Sequence, residues 1–420
     1  MAIGDKIHLI NKEEVQGAIG NINNPLLDLP LNNSLAMKQG VGSVEFTRST
    51  TATYIDRYGI LRTADVDEPR FEKDGLLIEG ESTNLLIPSN LNDNEDLGFT
   101  RSAVVGLDGI TDSAIRMTET TDENVQRRLR DTSLNSIDTS VGDRITSSVI
   151  LKPYGDRTNI CLLVDYNGSN MIEFRLSDNT IGAVSVPNET FISAGIEPLE
   201  DGWYKLTVTL EIINTGYDIG VWVFFSNTYG DGNSYYDGDG TSYIDFFGAQ
   251  VEKLPFATSY IPTTDSAVTR GTDFCEVTFD GNMLNRKDNS TLMADYNIPS
   301  ITEWAGGTIP RGMIGIIGEE YRYLRVNGTS TMGVNGFGYF DANNVNDSFR
   351  YASIDSSSYA KGYINGVATN YNSSSSVSII GTRAIRLGGV GHITTHPLFG
   401  HIKNFRIYDR ALTEQEVRLA

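Results

Sequence analysis

The stretch DGWYKLTVTLEI, residues 201–212, sorts its side chains strictly by parity. Tyr204, Leu206, Val208 and Leu210 fall on one face of an extended chain, and Lys205, Thr207, Thr209 and Glu211 on the other. A strand with one face on a core and one toward water produces this pattern. RITSSVILKPYG and NICLLVDYNG read as further strands closed by glycine turns, and DIGVWVFFS is apolar on both faces, as a central strand should be. No long stretch shows helical periodicity. The 42 glycines and 20 tyrosines, with abundant Asn, Ser and Thr, suit a turn-rich β-protein. The predicted fold class is all-β.

At 420 residues the chain exceeds one typical core, which predicts two or three domains. Its 33 Lys and Arg against 54 Asp and Glu give a formal charge of −21. Nucleic acid and anionic membrane surfaces would repel such a chain, so neither is expected as the main partner. No segment is long and apolar enough for membrane insertion. The start, MAIGDKIHLINKEEV, lacks an apolar leader core, so no secretory signal is expected. Cys161 and Cys275 sit in strand-like runs and are expected to be buried free thiols rather than a disulfide.

Four segments follow from the pattern. Residues 1–30 form a polar arm with a helix-compatible piece from Ile7 to Ile19 and too little apolar content to fold alone. Residues 31–86 read as a hairpin and strand segment. Residues 87–266 read as one β-sandwich, and 267–420 as another. The apolar-poor stretch TTDSAVTRGTD, residues 263–273, is the expected boundary. Near the C-terminus, Thr413 and Glu416 have the spacing of a capping box, which predicts a short terminal helix.

Residues 44–86 carry F-T-R-x-S/T-x-A-T-Y-x-D, then G-x-L-R-T-A, then E-P-R-F, then G-L-L-I-E-x-x-x-T-N-L-L. In this order they resemble a segment common in bacteriophage tail-fibre and virion appendage proteins, on Phe46, Tyr54, Asp56, Arg62, Pro69, Arg70, Phe71 and Asn84. Within it Arg48, Arg62 and Arg70 are expected to pair with Asp56, Glu68 and Glu79 as a structural lattice. Residues 84–266 resemble a jelly-roll carbohydrate-binding module of phage fibres. Residues 274–420, with Y-I-N-G-V, I-R-L-G-G and F-R-I-Y before the terminal helix, resemble a laminin-G or concanavalin-like sandwich. These resemblances imply a virion location, attachment to other virion proteins through the arm, host cell-surface glycans as ligand, and a homo-oligomer, a trimer being favoured. A head fibre, neck or capsid decoration protein is the alternative. No nucleophile elbow, zincin helix, phosphate loop or dinucleotide fingerprint is present, and no enzymatic activity is expected.

The acid- and glycine-rich loop before and within YYDGDGTSYIDFFG, residues 235–248, leaves three readings open. As a glycan site it would stack sugar on Tyr229, Tyr235, Tyr236 or Tyr243 and accept hydroxyl protons on Asp237 and Asp239. Trp304, before Gly-Gly, is a further candidate platform. As a calcium site it would use Asp231, Asp237 and Asp239, although the EF-hand register fails. As a structural loop it would only turn the chain. Trp203 and Trp222 are expected in cores. His392, His396 and His401 cluster without metal-ligand spacing, and no metal or other cofactor is predicted.

Overall fold

The computed structural model describes residues 24–91, 98–130, 137–155, 157–164, 170–187, 189–214, 220–226, 235–278, 289–299, 311–316, 323–327, 331–334, 338–341, 348–356, 360–373, 384–389 and 397–420. The expected arm therefore lies almost wholly outside the described residues, as do Tyr229, Asp231, Trp304, His392 and His396. The fold is all-β, and the helix Glu414–Leu419 is the one α-helix among the described residues.

Two compact units divide the chain, and both are discontinuous. The first comprises Arg48–Glu72 and Glu81–Thr272; the second comprises Met1–Thr47, Lys73–Gly80 and Asp273–Ala420. Residues 31–86 are thus shared between units rather than forming a segment of their own. The reason is long-range pairing: Leu27–Leu29 pairs with Gly400–Tyr408, and Ser43–Thr47 with Phe274–Thr278. The division falls within 263–273, but that stretch is not an open linker. Val268–Arg270 pairs with Ser82–Asn84, and Thr263, Arg270 and Asp273 are buried.

The first unit is a sandwich of two antiparallel sheets. One runs Thr190–Pro198, Tyr204–Glu211, Arg144–Tyr154, Tyr243–Glu252, Ala114–Glu119, Phe99–Val104; the other runs Arg128–Arg130, Trp222–Ser226, Asn159–Leu163, Met171–Arg175, Thr180–Ser185. Val149, Leu206, Val208, Leu210 and Phe246 from the first meet Ile160, Leu162, Phe174, Val223 and Phe225 from the second in one core. Each such side chain contributes roughly 1.5–3 kcal/mol by leaving water. The parity of residues 204–211 is the parity of this core. Trp222–Ser226 does occupy an interior position in its sheet; Val223 and Phe225 point inward, while half-buried Trp222 packs beside Phe224 and Cys161 on the opposite face. Neither cysteine is in a disulfide, and both are buried.

Part of the six-stranded sheet's outer face is also covered. The hairpin Ala52–Ile55/Leu61–Ala64 lays Leu61 and Ile55 over Ile150, Trp203, Phe247 and Leu107. Asp56 shapes its turn by accepting from the Tyr58 and Ile60 amides (2.8 and 3.1 Å) and from Arg62 Nε (2.9 Å). Of the lattice predicted here, the Arg62–Asp56 pair forms. Arg48 donates to the carbonyls of Thr50 and Asp65, and Arg70 to the Thr53 carbonyl and Ser259 Oγ. Both are buried, and the carbonyls they reach thereby find the donors that buried acceptors need.

The second unit also has two antiparallel sheets. One contains Val367–Ser373, Ala360–Ile364, Ser348–Ser356, Asn289–Asn297, Gly400–Tyr408 and Gly75–Ile78, with Leu27–Leu29 also on Gly400–Tyr408. The other runs Ser43–Thr47, Phe274–Thr278, Ile385–Leu387, Arg311–Ile316, Tyr323–Asn327, Thr331–Val334, Gly338–Asp341. The terminal helix begins in the predicted capping box: Thr413 Oγ1 accepts from the Glu416 amide (3.3 Å), and Glu416 accepts from the Thr413 amide (2.8 Å). It sets Val417, with Leu412, against Met293, Ala352, Ile354 and Tyr363 on the outer face of the first sheet.

Candidate functional site

The loop singled out in the sequence is held by its own chain. The Asp239 carboxylate accepts from the amides of Thr241 and Ser242 (2.6 Å each), from Thr241 Oγ1 (3.0 Å) and from Ser242 Oγ (2.6 Å). Burial opposes its ionisation, but these hydrogen bonds outweigh that and hold the carboxyl far below its ordinary value. Asp237 accepts from the Asn124 amide at 2.7 Å. Among the described residues no group of three or more His, Cys, Asp or Glu side chains is placed to hold a metal ion. These bonds make Asp237 and Asp239 anchors of the turn.

The adjacent tyrosines behave in opposite ways. Tyr235 is exposed, whereas Tyr236 is only 7% exposed and cannot offer a ring face to a ligand. Arg127 and Arg157 lie over the Tyr236 ring at 4.6 and 4.7 Å. Its hydroxyl donates to Glu119, whose carboxylate also takes Arg157 Nε at 3.0 Å. Burial and then the Glu119 carboxylate push the Tyr236 phenol well above its ordinary value, so it stays a donor. Arg127 ties the network to the backbone through the carbonyls of Val125, Tyr236, Thr120 and Asp122. This knot is a support for the neighbouring strand.

What it supports is Tyr243. Ser242, fixed by Asp239, passes its carbonyl to the Glu119 amide (2.9 Å) and starts the strand Tyr243–Glu252. In the outer face of the six-stranded sheet, Tyr243 is in register with Tyr154 on one side and Thr118 on the other; one row along, Asp245 is in register with Lys152 and Arg116. Tyr154 and Tyr243 stack at 4.5 Å with 10° between their planes. From the strand on the other side, the Arg116 guanidinium sits 3.7 Å from the Tyr243 ring centroid. Asp245 fixes that guanidinium by two bonds, Nε–Oδ1 at 2.7 Å and Nη2–Oδ2 at 2.9 Å. The Asp245 bonds, working against burial, raise the Arg116 pKa further.

The result is a layered platform. Asp245 holds Arg116, Arg116 backs Tyr243, Tyr243 backs Tyr154, and Tyr154 is 60% exposed. Lys152, beside it, pairs with exposed Asp201 at 2.8 Å. The chain leaves this platform through Gly155 at φ +86°, where a Cβ would stand 2.5 Å from Ser242 Oγ. An exposed ring on a rigid stack suits the C–H face of a sugar, with hydroxyl partners supplied at its edge. Of the predicted residues, Tyr243 belongs to this platform; Tyr235 does not share its sheet. Tyr154 and Arg116 were missed by sequence reasoning, since only the register reveals them. Trp203, as predicted, is core, edge-on to Phe247.

Fold and face together define a two-sandwich β-protein with an open aromatic platform on one unit. No protein-family model matches the chain, and no curated protein matches it. Among solved structures, the receptor-binding domain of botulinum neurotoxin C/D mosaic serotype is 16% identical, over 35% of this chain and 40% of that one, with a TM-score of 0.29. The CBM40 of the Ruminococcus gnavus IT-sialidase, solved with α2,3-sialyllactose, is 16% identical over 32% of this chain and 82% of its own (TM-score 0.26). Domains LG4-5 of mouse laminin α1 are 13% identical over 67% and 88% (TM-score 0.22). The chain spans about two fifths of the neurotoxin domain. Similarity this low carries no inference about a ligand.

Proposed function

We propose that this chain is a glycan-binding adhesion protein of a bacteriophage virion, a tail fibre or comparable appendage, and that neutral sugar docks on Tyr154. The observation that carries the binding reading is the exposed Tyr154 ring stacked on Tyr243 and backed by the Arg116–Asp245 pair. A protein that needs these residues only for folding gains little from an aromatic ring held in water. The virion context rests on the four ordered motif pieces within residues 44–86. In this reading the arm of residues 1–30 joins other virion proteins, and homo-oligomers present several weak sites to the host surface at once, which multiplies their affinity.

The test compares Tyr154→Ala with wild type for binding to host cells and to immobilised neutral oligosaccharides. Loss of binding with an unchanged melting temperature supports adhesion through the platform. Unchanged binding sinks it and leaves the head-fibre or decoration role as the better reading. The virion half is tested separately, by locating the chain in purified particles with an antibody against it.

A further inference from the structure

The second unit has a cleft of about 380 Å³ on the outer face of its helix-bearing sheet, within the range of small-ligand sites. It opens where the helix stops covering the strands. Met293, Asp295 and Asn297 alternate on one face of Asn289–Asn297; Met293 lies under the helix, while Asp295 and Asn297 line the cleft. Three cations border it: Arg350 from the neighbouring strand, Lys403 from the strand on the other side, and, from the helix, Arg418, whose Nη2 pairs with Glu414 (2.5 Å) and whose Nε donates to the Gly366 carbonyl (3.1 Å), leaving Nη1 as its remaining donor.

Two local devices build this space. A bulge at Asn404, with φ 53°, is tied by its amide to the Pro30 carbonyl (2.8 Å) and points its Nδ2 to Asp295 Oδ2 (2.7 Å). The Asn365-Gly366 turn, with φ 49° and 77°, brings Asn365 Oδ1 to the Arg350 amide (2.8 Å). A Cβ on Gly366 would stand 2.6 Å from Arg418 Cγ, so glycine is what lets the Arg418 chain lie across the turn.

The hydrogen-bonding balance of the cleft favours an acceptor. Asp295 is consumed by Arg350 Nε (2.6 Å) and Nη2 (3.2 Å) and by Asn404. Burial opposes its charge, but these bonds and Lys403 hold its carboxyl below the ordinary value. Asn365 has spent its oxygen on the Arg350 amide, leaving its amino group as donor. The Lys403 ammonium has three donors and makes no hydrogen bond to the described residues, facing Asp295 through its charge alone. At the rim, Asp74, which accepts from Asn297 Nδ2 (3.1 Å), retains acceptor capacity for hydroxyls.

We infer that this cleft binds a carboxylate-bearing monosaccharide unit: Lys403, with Arg418 and the Asn365 amino group, takes the carboxylate, and Asp74 takes a ring hydroxyl. The site is independent of the Tyr154 platform and differs from it in ligand charge. An acidic peptide would satisfy the cations too, with an N–H in place of a hydroxyl at Asp74, and the dipeptide arm of the test separates the two.

The full-length chain would be titrated by saturation-transfer NMR with methyl glucuronide, with methyl glucoside as the neutral analogue and with a Glu-Glu dipeptide. Expected are binding of the glucuronide, no detectable glucoside binding, and weakening of the glucuronide by about three- to tenfold in each of Lys403→Gln and Arg418→Gln. Because Arg418 is exposed and Lys403 half-buried, circular dichroism should confirm that both variants fold. Tyr154→Ala should leave glucuronide binding intact, which separates this site from the platform. Equal binding of glucoside and glucuronide, unchanged affinity in both cation variants, or equal binding of the dipeptide would each overturn the assignment.

Discussion

Both units cover part of one outer sheet face and leave the rest open, yet the open parts differ in chemistry. In the first unit a hairpin lays Leu61 and Ile55 over Trp203 and Phe247, and beyond it lies the Tyr154–Tyr243 stack. In the second a short helix lays Val417 and Leu412 over Met293 and Ala352, and beyond it lies the Asp295–Arg350 pair with Lys403. In each, an arginine is locked by a bidentate aspartate on the neighbouring strand: Arg116 by Asp245, Arg350 by Asp295. What differs is what that arginine serves. Arg116 backs an aromatic ring, so the first face offers apolar area; Arg350 borders a cleft with Lys403 and the Glu414-paired Arg418, so the second offers charged donors. The same architecture thus presents two different surface chemistries through a few side chains.

The covers are where substitution should cost most. Trp203→Ala removes the centre of the first cover and should cost about 3–5 kcal/mol of unfolding free energy. Val417→Ala deletes fewer buried atoms and should cost about 1–2 kcal/mol. Urea midpoints measured for both would check this order; equal losses would mean that the hairpin does not seal its face as tightly as its packing shows.

Next in size is the contrast between adjacent tyrosines. Tyr236→Phe leaves buried Glu119 short of a donor and should cost about 1–3 kcal/mol, whereas Tyr235→Ala should stay within about 0.5 kcal/mol. Comparable effects in the two would show that the Glu119 knot is not a support.

Sequence alone revealed what is local and periodic. The parity of residues 204–211, the Asn365-Gly366 turn and the Thr413–Glu416 box each depend on neighbours a few residues away. In sequence Asp239 suits a sugar or calcium ligand as readily as a turn residue, because its bonds to Thr241 and Ser242 appear only in the folded loop. The platform was not legible. Arg116 meets Asp245 across 129 residues, and Tyr154 meets Tyr243 only because a bulge near Ile150 sets their register. A one-residue slip would place either ring in the core. The cleft and the unit boundaries depend in the same way on pairing between remote strands, such as Leu27–Leu29 with Gly400–Tyr408.

A smaller effect links the units through acid. The folded-state pKa values of Asp239 and Asp295 both lie below the unfolded value of about 3.9. A depressed carboxylate contributes its stability above the unfolded pKa and loses it as pH falls through the folded one. Melting temperature should therefore be flat above about pH 5 and fall below about pH 4. Asp239→Asn should start lower and fall less steeply; an unchanged slope would remove Asp239 from the acid-labile set.

The smallest effect is the sharpest test of the comparison itself. Stacking of a neutral sugar on Tyr154 involves no net charge on the ligand, so added salt has little to screen. A carboxylate held by Lys403 and Arg418 at an open cleft is a charged contact within reach of ions, and the Debye length shrinks from roughly 14 Å to 4 Å between about 0.05 and 0.5 M salt. Glucuronide affinity should fall about two- to fivefold over that range, while affinity for the neutral sugar of the platform should change by less than about 1.5-fold. Arg116 does not spoil this contrast, because Asp245 already neutralises it at 2.7 and 2.9 Å. Isothermal titration at the two salt concentrations measures both. A common salt dependence would mean that one kind of site serves both ligands, and the division between an aromatic face and a charged face would fall.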